Sequence, residues 1–398
     1  MSVRINTMKE HLYEVDLMRA FIIFGVVCVH VVSFFNLFAP PLSGTEIGFE
    51  SALVALHFTR ESFMFITGLV LFITYYNRPF KAKSFWSKRF KLIFIPYAAW
   101  TLIYILFSGT YLKGWQWTLP NVLGTYASSL LDGHQFYLYY LVISMQLYLF
   151  FPLFVIAIKK LKNWHTVLFI GSLALQIALM WFNKAILQNM DTTHFPQWLA
   201  LLLHYRDRYL LTYQFWFISG ALFAVHYEKI KSYVLEHAKL IYGALAVILL
   251  ALWAHYALDR LVLGQDETMA VLVLQPMMIP FSFAVTIALW RAGMSWSAAR
   301  LEPRVQWFSS FVKVAAAASF GVFLVHPLIL HFVELAIYHL HPNATVRLLL
   351  LPVTIAVVYG VAIVIARLIG NVPLLSYIVG QKSATPKHLK VGVTRVSQ

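Results

Sequence analysis

Six side chains with chemical potential sit where their surroundings are almost wholly apolar: Arg19, His30, His57, Arg60, Glu61 and His326. The stretch from Asp16 to Phe35, DLMRAFIIFGVVCVHVVSFF, shows the pattern most plainly, with an arginine near its start and a histidine eleven residues later. An ionisable group in hydrocarbon costs several kcal/mol unless it meets a partner or water, so such residues are kept for a task. Neutral imidazole, with a reference pKa near 6.5, is suited to take a proton from an alcohol. A carboxylate can fix the tautomer of such a base, and a guanidinium binds phosphate in a bidentate manner. His30 is therefore the candidate base, with Glu61 or His57 as its orienting partner. Arg19 is the candidate anion binder. Read singly, each has a plainer role: Arg19 a snorkelling helix-end cation, each histidine an interhelical hydrogen-bonder, Arg60 and Glu61 a self-neutralising pair.

The elements that must position them are membrane helices. The chain of 398 residues is 60% hydrophobic and 12% charged, with a mean hydropathy of +0.72. A soluble protein would carry about a quarter charged residues. Apolar runs predict an all-α, polytopic protein with ten helices, at about 17–37, 50–76, 91–108, 134–158, 164–183, 209–226, 239–258, 269–291, 314–337 and 346–369. The segment 196–205 reads as an interfacial helix. Residues 17–370 form one membrane domain, between a cytoplasmic N-terminus (1–16) and a basic cytoplasmic tail (371–398). The first run lacks a small-residue cleavage signal after it and is read as a retained helix.

Ten spans put both termini on one side. With that side cytoplasmic, the inner segments collect Lys81, Lys83, Lys88, Arg89 and Lys91, then Lys159 and Lys160, Lys229 and Lys231, Arg300 and Arg304, and the tail cations. The outer loops hold only Lys113, Lys184, Arg206, Arg208 and Arg260. The net charge of +15 is thus topological, N-in and C-in, and excludes a nucleic-acid partner. The single Cys28 excludes an intrachain disulfide and a cysteine metal site. His331, Glu334, His339 and His341 resemble a metal cluster only loosely, so no metal is expected. The Asn343-Ala344-Thr345 triplet matches a glycosylation acceptor, a match common by chance.

At roughly 1.5 Å per residue, His30 lies about 20 Å from the inner edge and about 16 Å beyond Arg19. Helix two places His57, Arg60 and Glu61 about 10–17 Å below the outer face, and helix nine brings His326 to roughly 18 Å, near the same level. His57 and Glu61, four apart, share one helix face. Pro327 frees the carbonyl of Phe323 from its helical donor. Together these predict a polar chamber in the outer half of the membrane, opening to the cytoplasm past Arg19.

Asp16-Leu17-Met18-Arg19 with ten residues between Arg19 and His30 resembles the first-helix signature of the acyltransferase-3 membrane family. RESFMFITGLVLF (60–72), FWSKRFKLIFIPYAAW (85–100), FYLYYLVISMQLYLFFPL (136–153) and SFGVFLVHPLIL (319–330) are similar to its later motifs, in the same order. Met18-Arg19-Ala20 departs from the frequent Leu-Arg-Gly, and Thr67 from the usual Ser. The resemblance is nearest to the stand-alone branch that modifies surface polysaccharides, lipids or other glycans. It implies transfer of an acyl group, often acetyl, from cytoplasmic acyl-CoA to a hydroxyl of a glycan or lipid-linked sugar, in a bacterial plasma membrane. Arg19 with Lys88, Arg89 and Lys91 would hold the donor's phosphates. His30 would act as base or transient acyl carrier, and Arg60, His57 and His326 would contact thioester or acceptor, or support a residue that does. A proton-coupled exporter of polysaccharide or lipid would use the same buried groups, although no internal repeat favours it.

Overall fold

The computed structural model describes residues 11–79 and 81–381; the tail cations Lys382, Lys387, Lys390 and Arg395 lie outside the described residues. The described chain is all α. Its helices are α1 (Tyr13–Asn36), α2 (Gly44–Leu56), α3 (Thr59–Tyr75), α4 (Ala82–Gly109), α5 (Leu119–Asp132), α6 (Tyr139–Lys160), α7 (His165–Ala185) and α8 (Gln197–His204). They continue as α9 (Gln214–Val225), α10 (Tyr227–Glu236), α11 (Ala238–Ala257), α12 (Glu267–Ala270), α13 (Met278–Ala299), α14 (Gln306–Leu340) and α15 (Ala344–Asn371). Nine spans among the described residues are long and apolar enough to cross a membrane, and a shorter apolar segment, Leu210–Val225, stands at the place of the sixth expected helix. The protein is a multi-pass integral membrane protein.

Several boundaries differ from those the apolar runs predict, with α4 and α14 starting eight or nine residues early, and two of the differences bear on the site. The second span breaks at His57–Phe58 into α2 and α3, so His57 caps α2 and does not share a helix face with Glu61. The eighth helix begins at Met278 and not near 269, because Pro276 cannot continue a helix and its predecessor is pushed towards extended geometry. The amphipathic helices α5 and α10 were not anticipated: they are too short to register as spans. Pro327, by contrast, leaves α14 continuous over 35 residues.

Helix α1 runs through the middle of the fold, packed by α13, α14 and α15 and by the α2–α3 pair. Val27, Val31, Ala318 and Val322 are fully buried in that seam, and Tyr359 of α15 donates to the Ala20 carbonyl at 3.1 Å. The closest backbone approach joins α3 to α9. A Cβ on Gly68 would lie 2.3 Å from the Phe217 carbonyl oxygen, and one on Gly220 would lie 2.0 Å from that of Phe65. Small residues let membrane helices approach where lipid supplies no hydrophobic drive of its own. The glycine of the Thr67-Gly68 motif is therefore a packing residue. Gly68→Ala is expected to destabilise the protein by about 1–3 kcal/mol, read as a lowered melting temperature in detergent.

After α15 the chain turns back: Leu375–Val379 forms a 3-10 turn against α4, and Trp100 donates to the Ile378 carbonyl at 2.9 Å. Compact structure thus continues past Gly370. Asn343 caps α15 by accepting from the Val346 N–H at 2.9 Å, which accounts for its place in the sequence without glycosylation.

Candidate active site

A cavity of about 910 Å³ penetrates the bundle beside α1. Its wall carries Arg19 and His30 of α1, His57, Arg60 of α3, and Arg89 of α4. Five of the nine polar residues singled out by spacing thus converge on one space. Helix α6 contributes a stripe at helical spacing, Tyr140, Ser144 and Tyr148, with Tyr137 and Tyr139 at its start. The turn of Asp207 and Arg208 lines the space from the far side.

His30 occupies the middle. Its ring stacks on Tyr137 at 3.5 Å between centroids and 16° between planes. The ring of His326 follows at 5.4 Å and 20°. His326 is fully buried and does not line the cavity, so of the two places expected for it, against the substrate or supporting a residue that touches it, the geometry offers the second. The cause is its bond to its own helix: Nδ1 lies 3.0 Å from the Val322 carbonyl, beside Pro327, where it can only donate. That leaves Nε2 as an acceptor, and Nε2 has no partner. His326 therefore lies alongside the stacked His30–Tyr137 pair, 5.4 and 5.9 Å from their ring centres, with one ring nitrogen unpartnered.

Glu61 does not stand beside His30. It follows Arg60 by 100° around α3 and turns away, into a small pocket walled by Gln176, Tyr213 and Gln275. There it is 3% exposed, with Oε2 unpartnered. No carboxylate pairs with His30 among the described residues. The orienting role expected of Glu61 is not available to it. Glu61→Gln is accordingly expected to change kcat by less than about tenfold, far below the loss for a base, as a steady-state assay would read. His57 does face the cavity, with Nδ1 buried and without a partner.

The two ends of the cavity are both cationic. At one end Arg19 and Arg89 line the wall with Tyr148, over whose ring the Arg89 guanidinium sits at 5.7 Å. Neither arginine forms an ion pair among the described residues; Asp16, one turn before Arg19, is taken by His11 at 2.5 Å. Lys88 and Lys91 do not take part, contrary to expectation. Both are exposed, since on a helix whose Arg89 and Ile93 face inward Lys91 points about 200° away. At the other end Arg60 donates to the Tyr213 hydroxyl at 3.0 Å and lies 5.3 Å from the centre of the Tyr139 ring. Arg208 lies 5.8 Å from the same ring and 3.7 Å from Asp207.

The arrangement suits group transfer between a charged donor and a polar acceptor, with an anion-binding end, a neutral base and a second polar end in one channel. The sequence model of a family described as an acyltransferase domain matches residues 12–367. The chain belongs to the acyltransferase-3 family. No curated protein and no solved structure matches it. Membership makes the protein a membrane acyltransferase, and the motif residues of α1, α3, α4 and α6 meet in the cavity. Within the acyltransferase-3 motifs the structure divides labour: Arg19, His30, Arg60, Arg89 and the FYLYYL tyrosines face the cavity, whereas Gly68 and Pro327 shape helices. Sequence reasoning missed Tyr137, Tyr139, Asp207 and Arg208. The first two lay in a quoted motif whose spacing could have marked them, but the return of the outer turn carrying Arg208 has no periodic signal.

Proposed function

We propose that the protein transfers an acyl group, in the simplest case acetyl, from cytoplasmic acyl-CoA to a hydroxyl of a glycan or lipid-linked sugar at a bacterial plasma membrane. The observation that carries this reading is the convergence of an unpaired cationic end, Arg19 with Arg89, and a cavity-facing imidazole, His30, on one channel. The N-in, C-in orientation proposed from the basic loops puts Arg19 and Arg89 on the side of the coenzyme A pool. Arginine suits the phosphates of that donor, and the roughly 16 Å from Arg19 to His30 along α1 is comparable to an extended pantetheine arm.

His30 then acts as general base. The acceptor O–H gives its proton to the free imidazole nitrogen while the oxygen attacks the thioester carbonyl carbon. The tetrahedral adduct collapses, the C–S bond breaks, and the departing thiolate takes the proton back from the imidazolium. During the charged interval no carboxylate stands beside the ring; its aromatic neighbours are Tyr137 on its face and His326 alongside. Arg60 with Tyr139 and Arg208 receives the acceptor at the far end.

Membranes containing the protein, given radiolabelled acetyl-CoA and cell-surface glycan, are expected to incorporate label into the glycan. The exporter reading predicts instead uptake of intact glycan into sealed vesicles without acylation; that result with no label transfer would overturn the proposal.

A further inference from the structure

At the end of the bundle opposite Arg19 lies a second polar centre that the acyl-transfer scheme does not use. Glu46 and Glu50 of α2 and Glu267 of α12 bring one carboxylate oxygen each to within 4.8 Å of one another. Glu46 and Glu50 are buried, Glu50 completely. One guanidinium serves two of the three: Arg260 donates through Nη2 to Glu46 Oε2 at 3.2 Å and through Nε to Glu50 Oε2 at 3.1 Å, and Glu267 has no ion pair among the described residues. Three carboxylates thus share one guanidinium, two of them buried and Glu267 exposed.

The hydrogen bonds are lopsided in the same direction. Glu50 Oε2 has both Arg260 and the Tyr256 hydroxyl, at 2.6 Å, yet Glu50 Oε1 is buried with no donor. Asn36, at the end of α1 and 6% exposed, gives its amide to Glu267 Oε1 at 2.8 Å. That contact fixes the amide, because the flipped form would press oxygen against a carboxylate. It leaves Asn36 Oδ1 buried with no donor, next to the cluster. A buried acceptor without a partner is costly, and two beside an excess of negative charge call for the same missing thing.

We propose that Asn36, Glu46, Glu50 and Glu267 form a binding site for a divalent cation of the calcium class. Carboxylate and amide oxygens with no thiolate or imidazole are the donor set of hard cations. Ligands drawn from three separate helices, α1, α2 and α12, suit calcium, which accepts six to eight oxygens in flexible geometry, better than magnesium with its strict octahedron. The site has a structural target. The segment that follows α12 places Val273 in the wall of the catalytic cavity, so a cation linking Glu267 to α1 and α2 would pin that wall.

The test is terbium luminescence on the purified full-length protein in nanodiscs, with excitation through tyrosine, since the Tyr256 hydroxyl already touches Glu50. Saturable emission is expected, displaced by calcium chloride and not by sodium chloride of equal ionic strength. Glu267→Gln, which alters an exposed side chain and should fold, is expected to weaken terbium binding about 10-fold or more, and Asn36→Ala likewise. The control Glu228→Gln, on α10, should leave it unchanged. Absence of saturable emission, or emission that both cluster variants leave intact, would overturn the proposal. None of these readouts involves acyl-CoA, so either result leaves the acyl-transfer reading to its own experiment.

Discussion

His30→Ala is expected to lower acyl transfer by about 10²–10⁴-fold while acyl-CoA binds with unchanged affinity, the loss characteristic of a positioned general base. The reason is geometric. Of the histidines in the described bundle core, His30 is the one that combines exposure to the cavity with a rigid ring mount, Tyr137 on one face and His326 alongside. His57 also faces the cavity, but it caps a helix and lies against the Val271 backbone, so its ring is held by the fold and not by the stack. His326 is sealed from the cavity altogether. A control for collapse of the stack is needed, and His30→Gln supplies it: the amide keeps the bulk and a hydrogen-bonding head but does not take up a proton at neutral pH. The expected result is inactivity in both variants at near-native melting temperature, measured by turnover and thermal unfolding on the same preparations. Activity retained in His30→Gln would remove proton transfer from the scheme and leave the ring as packing.

The helical plan was legible in the sequence because lipid imposes a strong rule: every span must be about 20 apolar residues. Ten segments fall in the expected order, and the weakest of them, Leu210–Val225, is also the shortest in the structure. Depth was legible too. A fixed rise per residue put His30, His57, Arg60 and His326 near one level, and the structure brings three of them to one cavity with the fourth just behind. Azimuth was not legible. Which way a side chain points depends on partners that composition does not name, and this is where the reading of Glu61, Lys88 and Lys91 failed. Glu61 was assigned to the face of His57 on the premise of an unbroken helix, yet the chain breaks at His57–Phe58 without a proline or glycine to announce it. The acidic cluster of Glu46, Glu50 and Glu267 was invisible for a related reason: Glu267 is more than two hundred residues from the other two in sequence and meets them only through the fold.

The same azimuthal distinction yields the second large effect. Arg19→Ala and Arg89→Ala are each expected to weaken acyl-CoA binding by about 10- to 100-fold, the worth of a charge-assisted hydrogen bond to phosphate of roughly 1.5–3 kcal/mol. Both guanidiniums line the cavity and neither has an ion-pair partner among the described residues, so each is left free to meet an anion there. Arg89 is preorganised by the rings around it, at 5.7–6.0 Å from the centres of Tyr75, Phe85 and Tyr148, which lowers the entropy lost on binding an anion. Lys88→Ala and Lys91→Ala, one and two positions away in sequence, remove the same formal charge from an exposed face. They should alter affinity by less than about twofold at physiological ionic strength, where surface charges beyond a Debye length of about 8 Å are screened. Titration of each variant with a non-hydrolysable acyl-CoA analogue separates the possibilities. Equal losses in all four would mean that the basic loop attracts the donor only as a diffuse field. Loss of turnover at unchanged affinity in Arg19→Ala would move that residue from holding the donor to supporting the chemistry at His30. The pattern expected, with both arginines required and both lysines dispensable, follows from the side of α4 that faces the cavity.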